Sequence, residues 1–164
     1  MLNGIAVDVV ELSGGSYEVP AMQGEAGDGR LLSREAYFLE FARQLSTVAG
    51  MPLMLTGGIR RRSVAEQVID SGVSIVGVAT AMAINPSLPR QWRAGQDIAP
   101  ALLPVGWKSK PIKSLANMAA VKYQLRRLGQ GRLPDPDVSP SRALLLQQWG
   151  TSCQTRAYRR RMSA

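Results

Sequence analysis

The chain has 164 residues, of which 45% are hydrophobic and 20% charged, and this is the composition of a globular protein about one domain in size. It carries a net charge of +8, no histidine and a single cysteine, Cys153. These counts exclude an intrachain disulfide, catalysis by a histidine of this chain, and zinc sites built from histidines or several thiolates. Its apolar runs are shorter than the roughly 20 residues of a membrane span, and no secretory signal is visible, so we expect a cytoplasmic protein.

The charge is distributed unevenly along the chain. Residues 1–50 have a net charge of −4, residues 51–100 a net charge of +2, and residues 101–164 a net charge of +10. A basic C-terminal third can bind nucleic acid or an acidic surface, although such a stretch is more often a solvated face or an arm on an acidic partner. We do not expect a nucleic-acid partner.

Hydrophobic patterning predicts that strands and helices alternate in the first hundred residues. The predicted elements are a strand over 4–12, a long loop over 16–32, a helix from Ser33 to Gly50, a strand over 53–56, a helix to about Ser71, a strand over 73–79 and two short helical turns ending at Trp92. Ser63 and Glu66 predict a capping box at the start of the second helix, and Gly72 predicts its end. This order favours parallel strands covered by helices.

The size of these units indicates part of a barrel. A (β/α)₈ barrel averages about 250 residues, or roughly 31 per βα unit, so three units in 100 residues amount to three-eighths of one. After residue 100 the alternation stops: we predict a helix over 112–128, a proline-rich loop over 133–140 and a helix from Pro140 to about Trp149, followed by a basic end. We therefore divide the chain into a barrel part, 1–100, and a helical, basic extension, 101–164.

Two Gly-Gly steps, at 14–15 and 57–58, end predicted strands on the side where α/β proteins bind ligands. Glycine lets the backbone approach a ligand closely, and N–H groups there can hold a phosphate. The alternative is a tight turn that needs positive φ, and the sequence leaves both interpretations open. Arg60 follows the second step and could reach a phosphate. Ala79 and Thr80, at the end of the third predicted strand, could offer N–H and O–H donors to the same group.

Three stretches together resemble the C-terminal half of the old yellow enzyme family, the NADH:flavin oxidoreductases: "GIAVDVVELSGGSYEVPAM", "REAYFLEFARQL" and "MPLMLTGGIRRRSVAEQVIDSGVSIVGVATAMAINPSLPRQW". The tail "KSLANMAAVKYQLRRLGQGRLPDPDVSPSRALL" is similar to the C-terminal extension of some bacterial members. The resemblance implies a partial TIM barrel, with the three strands as strands six to eight. It also implies FMN as cofactor, NAD(P)H as reductant and the reduction of activated alkenes.

The resemblance implies a location for the FMN phosphate as well. In the family, backbone amides after strands seven and eight hold it, and the matching positions here are Gly57 and Gly58, then Ala79 and Thr80. The family usually has Gly-Arg at the second pair, and Arg60 is the candidate substitute for that missing arginine. The loop over 13–22 would lie across the mouth of the site.

The resemblance places strands one to five, with the main flavin-ring contacts, the substrate-binding His/Asn pair and the usual tyrosine proton donor, outside this sequence. We therefore assign no catalytic residue and no metal ligand. We expect a C-terminal fragment with little activity alone, whose partner is the missing N-terminal barrel half or a second copy, and whose substrate is a small molecule. The alternatives are a non-catalytic barrel remnant or interaction module with a basic tail, and another phosphate-binding TIM-barrel protein.

Overall fold

The computed structural model describes residues 2–13 and 39–163, and the chain divides into two compact units, Met1–Pro100 and Ala101–Ala164. The first unit contains strands and helices, and the second contains helices. The predicted long loop over 16–32, the first Gly-Gly step and the predicted start of the first helix at Ser33 lie outside the described residues.

Three parallel strands form one sheet in the first unit, in the order β1-β2-β3: β1 is Val10–Leu12, β2 is Leu53–Thr56 and β3 is Ile75–Gly77. The predicted α/β class with parallel strands is therefore confirmed. The outer strands are shorter than predicted. β1 starts at Val10, after a 3₁₀ turn at Leu2–Gly4 and irregular backbone over 5–9. β3 stops at Gly77, two residues before Ala79, whose φ and ψ of −104° and −73° are helical.

One face of the sheet is covered by helices. The helices of this unit are α1, Leu39–Ser46; α2, Arg62–Asp70; α3, Thr80–Ile84; and α4, Leu88–Arg93. Their apolar sides meet the sheet in a core that comprises Ala42, Leu55, Ile59, Val64, Val68 and Val73. Along β2, Leu53 and Leu55 are buried while Met54 and Thr56 are half-buried, which is the two-residue alternation of a strand. Leu55 therefore faces the helices, and Met54 and Thr56 point to the other face.

This other face, which we call the open face, is covered incompletely by the described residues. Its first row across the sheet contains Glu11, Met54 and Ile75, and its second contains Thr56 and Gly77. Glu11 is exposed and Ile75 is 43% exposed. In the described part of the chain, β1 and β3 each pair with β2 and with no second strand.

The start of α2 differs from the predicted capping box. The helix begins at Arg62, so Ser63 lies inside its first turn. The N-cap residue, Arg61, makes no side-chain hydrogen bond that caps the helix. The acceptor comes from 35 residues later: Asp97 Oδ1 accepts the backbone N–H of Arg62 at 2.7 Å and of Ser63 at 3.3 Å. Glu66 Oε1 instead accepts from Arg62 Nε at 2.7 Å. Gly72 does end the helix as predicted, with φ +95° and its N–H donated to Ile69 O at 3.0 Å.

The second unit is built on two long helices, α5, Lys110–Gly129, and α6, Pro140–Met162. They meet in a small-residue core of Ala119, Ala120, Val138 and Ala143. The predicted end of α6 near Trp149 is wrong. Gly150 is tolerated inside the helix, at a cost of roughly 1 kcal/mol relative to alanine, and the arginines that follow are good helix formers that suit the C-terminal end of a helix.

A buried glutamine fixes the loop between α5 and α6. Gln124 has no exposed surface, and its Nε2 donates to Asp135 O at 2.7 Å while its Oε1 accepts from Asp135 N at 2.8 Å. Arg127 Nε also donates to Leu133 O at 2.6 Å. The side chains of one turn of α5 thus satisfy backbone groups of the proline-rich loop.

Candidate functional site

The second Gly-Gly step lies beside the end of the neighbouring strand. Thr56 and Gly77, the last residues of β2 and β3, are register partners in adjacent parallel strands. Adjacent strands lie about 4.8 Å apart, so the segments that follow them leave from the same edge of the sheet. Gly57 and Gly58 are in one segment, and Ala79 and Thr80 are in the other. The structure therefore brings these four candidate residues to the carboxyl edge of the sheet.

Both glycines of the step have backbone conformations that favour glycine, with φ +149° at Gly57 and φ +69° at Gly58. A residue with a side chain pays about 1–2 kcal/mol in the left-handed region that Gly58 adopts. Within the described part of the chain, no hydrogen bond uses the backbone N–H of either glycine. The turn thus needs glycine for its geometry and still leaves two donors available at the edge.

The segment after β3 starts a helix rather than extending the strand, which corrects the prediction that Ala79 and Thr80 end the third strand. Ala79 precedes α3 and accepts the N–H of Ala83 at 3.0 Å, while Thr80 is the first helical residue. Both residues are exposed. The first N–H groups of a helix have no partner within it, so the segment supplies donors through its helical start.

Arg60 is half-buried and lies two residues after Gly58, in the connection to α2. The first turn of that helix is held by Asp97. Loss of water around its carboxylate raises the pKa of Asp97. Hydrogen bonds from the Ser63 side chain and from the Ser63 and Arg62 backbone, together with the positive charge of Arg61, lower the pKa by a larger amount. The net pKa of Asp97 lies below its ordinary value. The charged carboxylate is therefore the form that anchors the segment following the glycines.

Thr56 is a feature of this edge that the sequence interpretation missed. Its Oγ1 is buried and has no hydrogen-bond partner among the residues that the structure describes. A Cβ added to Gly77 would overlap that hydroxyl and lie 2.8 Å from Met54 Cε. Gly77 is thus required by the neighbouring side chain on the open face. The available signal was a threonine at the end of a strand directly before Gly-Gly.

A cavity of about 530 Å³ lies on the helix-covered side of the sheet. Its apolar wall includes Ile69, Val76, Met82 and Trp92, and charged side chains of α2 and α4 surround it. None of the five predicted site residues lines this cavity. The cavity is therefore not built from the predicted site residues.

Comparison with curated proteins relates the chain to a class of enzymes. In an alignment of 96 residues that covers 55% of the chain, it is 36% identical to an NADH-dependent flavin oxidoreductase of Hypocrea jecorina (strain QM6a). Over 92 residues it is 37% identical to an NADH-dependent flavin oxidoreductase of Talaromyces variabilis. The chain is related to the NADH-dependent flavin oxidoreductases. The resemblance stated from the sequence is confirmed, and it is consistent with part of an old yellow enzyme-like protein.

A further relative is a 4,4'-dithiodibutanoate disulfide reductase of Rhodococcus erythropolis. It is 40% identical to the chain over 60 residues, and the match covers 15% of the reductase. The chain spans 24% of the Hypocrea jecorina protein and 22% of the Talaromyces variabilis protein, so it corresponds to a part of each. No family model and no solved structure matches it. Among the helices of residues 2–13 and 39–163, none has the length and apolar character needed to cross a bilayer.

Proposed function

We propose that this chain supplies the phosphate-binding edge of an FMN-dependent NAD(P)H oxidoreductase of the old yellow enzyme type. The observation that carries the proposal is the register pairing of Thr56 with Gly77, which puts the Gly57-Gly58 step and the start of α3 at one edge. The related enzymes are named as NADH-dependent flavin oxidoreductases. A flavin in such enzymes carries the hydride, and the protein binds and orients it.

The donors at this edge fit a phosphate. The N–H groups of Gly57 and Gly58 make no hydrogen bond within the described residues, and the first turn of α3 adds N–H groups of the kind that favour anions. Ala79 and Thr80 bring no positive charge, so in this proposal Arg60 supplies the charge near the phosphate. The contribution of these residues is to bind one end of FMN and to fix its position.

We further propose that β1, β2 and β3 are strands six to eight of a (β/α)₈ barrel. Their sequential parallel order, the partly covered open face and the single pairing of both outer strands in the described residues support this assignment. The rest of the flavin pocket would come from polypeptide outside this sequence or from a second copy. The chain alone would then show little reduction of small activated alkenes.

Flavin binding by two matched glycine variants tests the proposal. Gly58 and Gly72 both have positive φ, +69° and +95°, so alanine introduces backbone strain at either position. Gly72 precedes β3 and lies at the amino edge of the sheet, away from the proposed site. FMN fluorescence anisotropy, titrated with each protein, should give similar affinities for the natural chain and G72A, and at least tenfold weaker binding for G58A. Absence of binding by the natural chain, or equal affinities of G58A and G72A, would contradict the proposed site.

A further inference from the structure

We propose that the hydroxyl of Thr56 is an additional hydrogen-bond donor to the FMN phosphate. This inference rests on the proposed function and extends its donor set from backbone amides to a side chain. Thr56 directly precedes Gly57, and its Oγ1 is buried and has no partner in residues 2–13 and 39–163. Buried hydroxyls in folded proteins are nearly always hydrogen-bonded, so a hydroxyl without a partner among the described residues needs an explanation, and a bound phosphate is the partner that we propose.

The position of the hydroxyl supports this assignment. Thr56 alternates with Leu55, which faces the helices, so its side chain lies on the open face at the carboxyl end of β2. On the adjacent strand, Gly77 leaves the space that the hydroxyl needs, because a Cβ there would overlap Oγ1. The hydroxyl and the N–H groups of Gly57 and Gly58 therefore belong to three consecutive residues at one edge.

The proposal requires the neighbouring Met54 side chain to move aside when the ligand binds. Met54 Cε lies 2.8 Å from the position that a Cβ of Gly77 would take, so the Met54 side chain extends along the open face towards Thr56. Methionine has three rotatable side-chain bonds and adapts readily to altered packing.

A purely structural threonine would behave differently from a ligand donor. If the hydroxyl stabilised the fold through a hydrogen bond, replacing it by a methyl group would lower the melting temperature. If it lacks a partner until a ligand binds, Thr56→Val removes an unsatisfied polar group and keeps the β-branched shape. The free protein should then melt at the same temperature or higher, while its affinity for the ligand falls.

The test combines ligand-free melting with FMN anisotropy titrations for the natural chain, T56V and T56S. We expect T56V to melt no lower than the natural chain and to bind FMN about ten- to a hundredfold more weakly, the loss typical of one hydrogen bond to a charged group. T56S keeps the hydroxyl, so its affinity should stay within about threefold of the natural chain.

Each other outcome contradicts a stated part of the reasoning. A lower melting temperature of ligand-free T56V would show that the hydroxyl is structural and would overturn the inference. Unchanged FMN affinity of T56V, with the natural chain binding FMN, would remove Thr56 from the site and leave the proposed function standing. Absence of FMN binding by the natural chain would refute the proposed function, and the role of Thr56 would fail with it.

Discussion

Replacement of Gln124 should destabilise the helical second unit more than replacement of an exposed polar side chain would. Gln124 is fully buried in α5 and makes two hydrogen bonds with the backbone of Asp135, at 2.7 and 2.8 Å. Gln124→Met keeps an unbranched side chain of similar length and removes both bonds. The change therefore isolates the hydrogen bonds from the effect of a cavity.

The two bonds set the expected magnitude. A neutral hydrogen bond contributes about 1 kcal/mol net, and a buried group left without its partner costs about 1–3 kcal/mol. Asp135 is half-buried, so water can reach part of its released backbone, and the lower part of that range applies. We expect Gln124→Met to lower the free energy of unfolding by about 2–3 kcal/mol.

Urea denaturation followed by far-UV circular dichroism measures this loss. Gln148→Met is the matched control, because Gln148 is exposed in α6 and the helix propensities of glutamine and methionine are similar. The control should change the free energy of unfolding by less than about 0.5 kcal/mol. An equally small change for Gln124→Met would refute the reasoning, since the two bonds to Asp135 would then have no net effect.

Two further predictions concern the ends of helices. The pKa of Asp97 is lowered from 3.8 in the folded protein, so its charge stabilises the fold above pH 3.8, and this stabilisation is lost as the pH falls through the lower folded pKa. The melting temperature of the natural chain should exceed that of Asp97→Asn at pH 5–7, and the difference should disappear towards about pH 2. A difference that stays constant from pH 7 to about pH 2 would contradict this role of the Asp97 charge. The residues of α6 after Gly150 are all exposed, and exposed residues contribute little to stability. A chain that stops at Gly150 should therefore lose helical circular dichroism but melt within about 1 °C of the full chain. A decrease of several degrees would show that this segment packs against the rest of the protein.

The elements that the sequence predicted well are those bounded by local signals. Residues 53–56 form β2 as expected, because an apolar run is enclosed by Pro52 and Gly57. Gly72 ends α2 because the required positive φ is a local property of that position. Chemistry within a few residues was enough to predict these features.

The features that were missed depend on residues far apart in the sequence. Asp97 caps α2 across 35 positions, so the local Ser63–Glu66 pattern gave the wrong cap. Thr56 was missed because its position directly before Gly-Gly marks it only weakly, and its burial against Gly77 depends on the register between β2 and β3. The end of α6 was missed because Gly150 reads as a stop signal, although a single glycine costs a helix only about 1 kcal/mol.

The Gly57-Gly58 step shows that a structural and a functional role need not exclude each other. The positive φ at both residues means that glycine is required for the turn, with or without a ligand. The same conformation leaves two N–H groups without a partner in the described chain, next to a buried hydroxyl that also has none. The buried hydroxyl costs stability while it lacks a partner among the described residues, and in our proposal a bound phosphate offsets this cost by accepting its hydrogen bond. Loss of stability in a glycine variant therefore says nothing about binding by itself, and only the comparison of Gly58 with Gly72 separates the two roles.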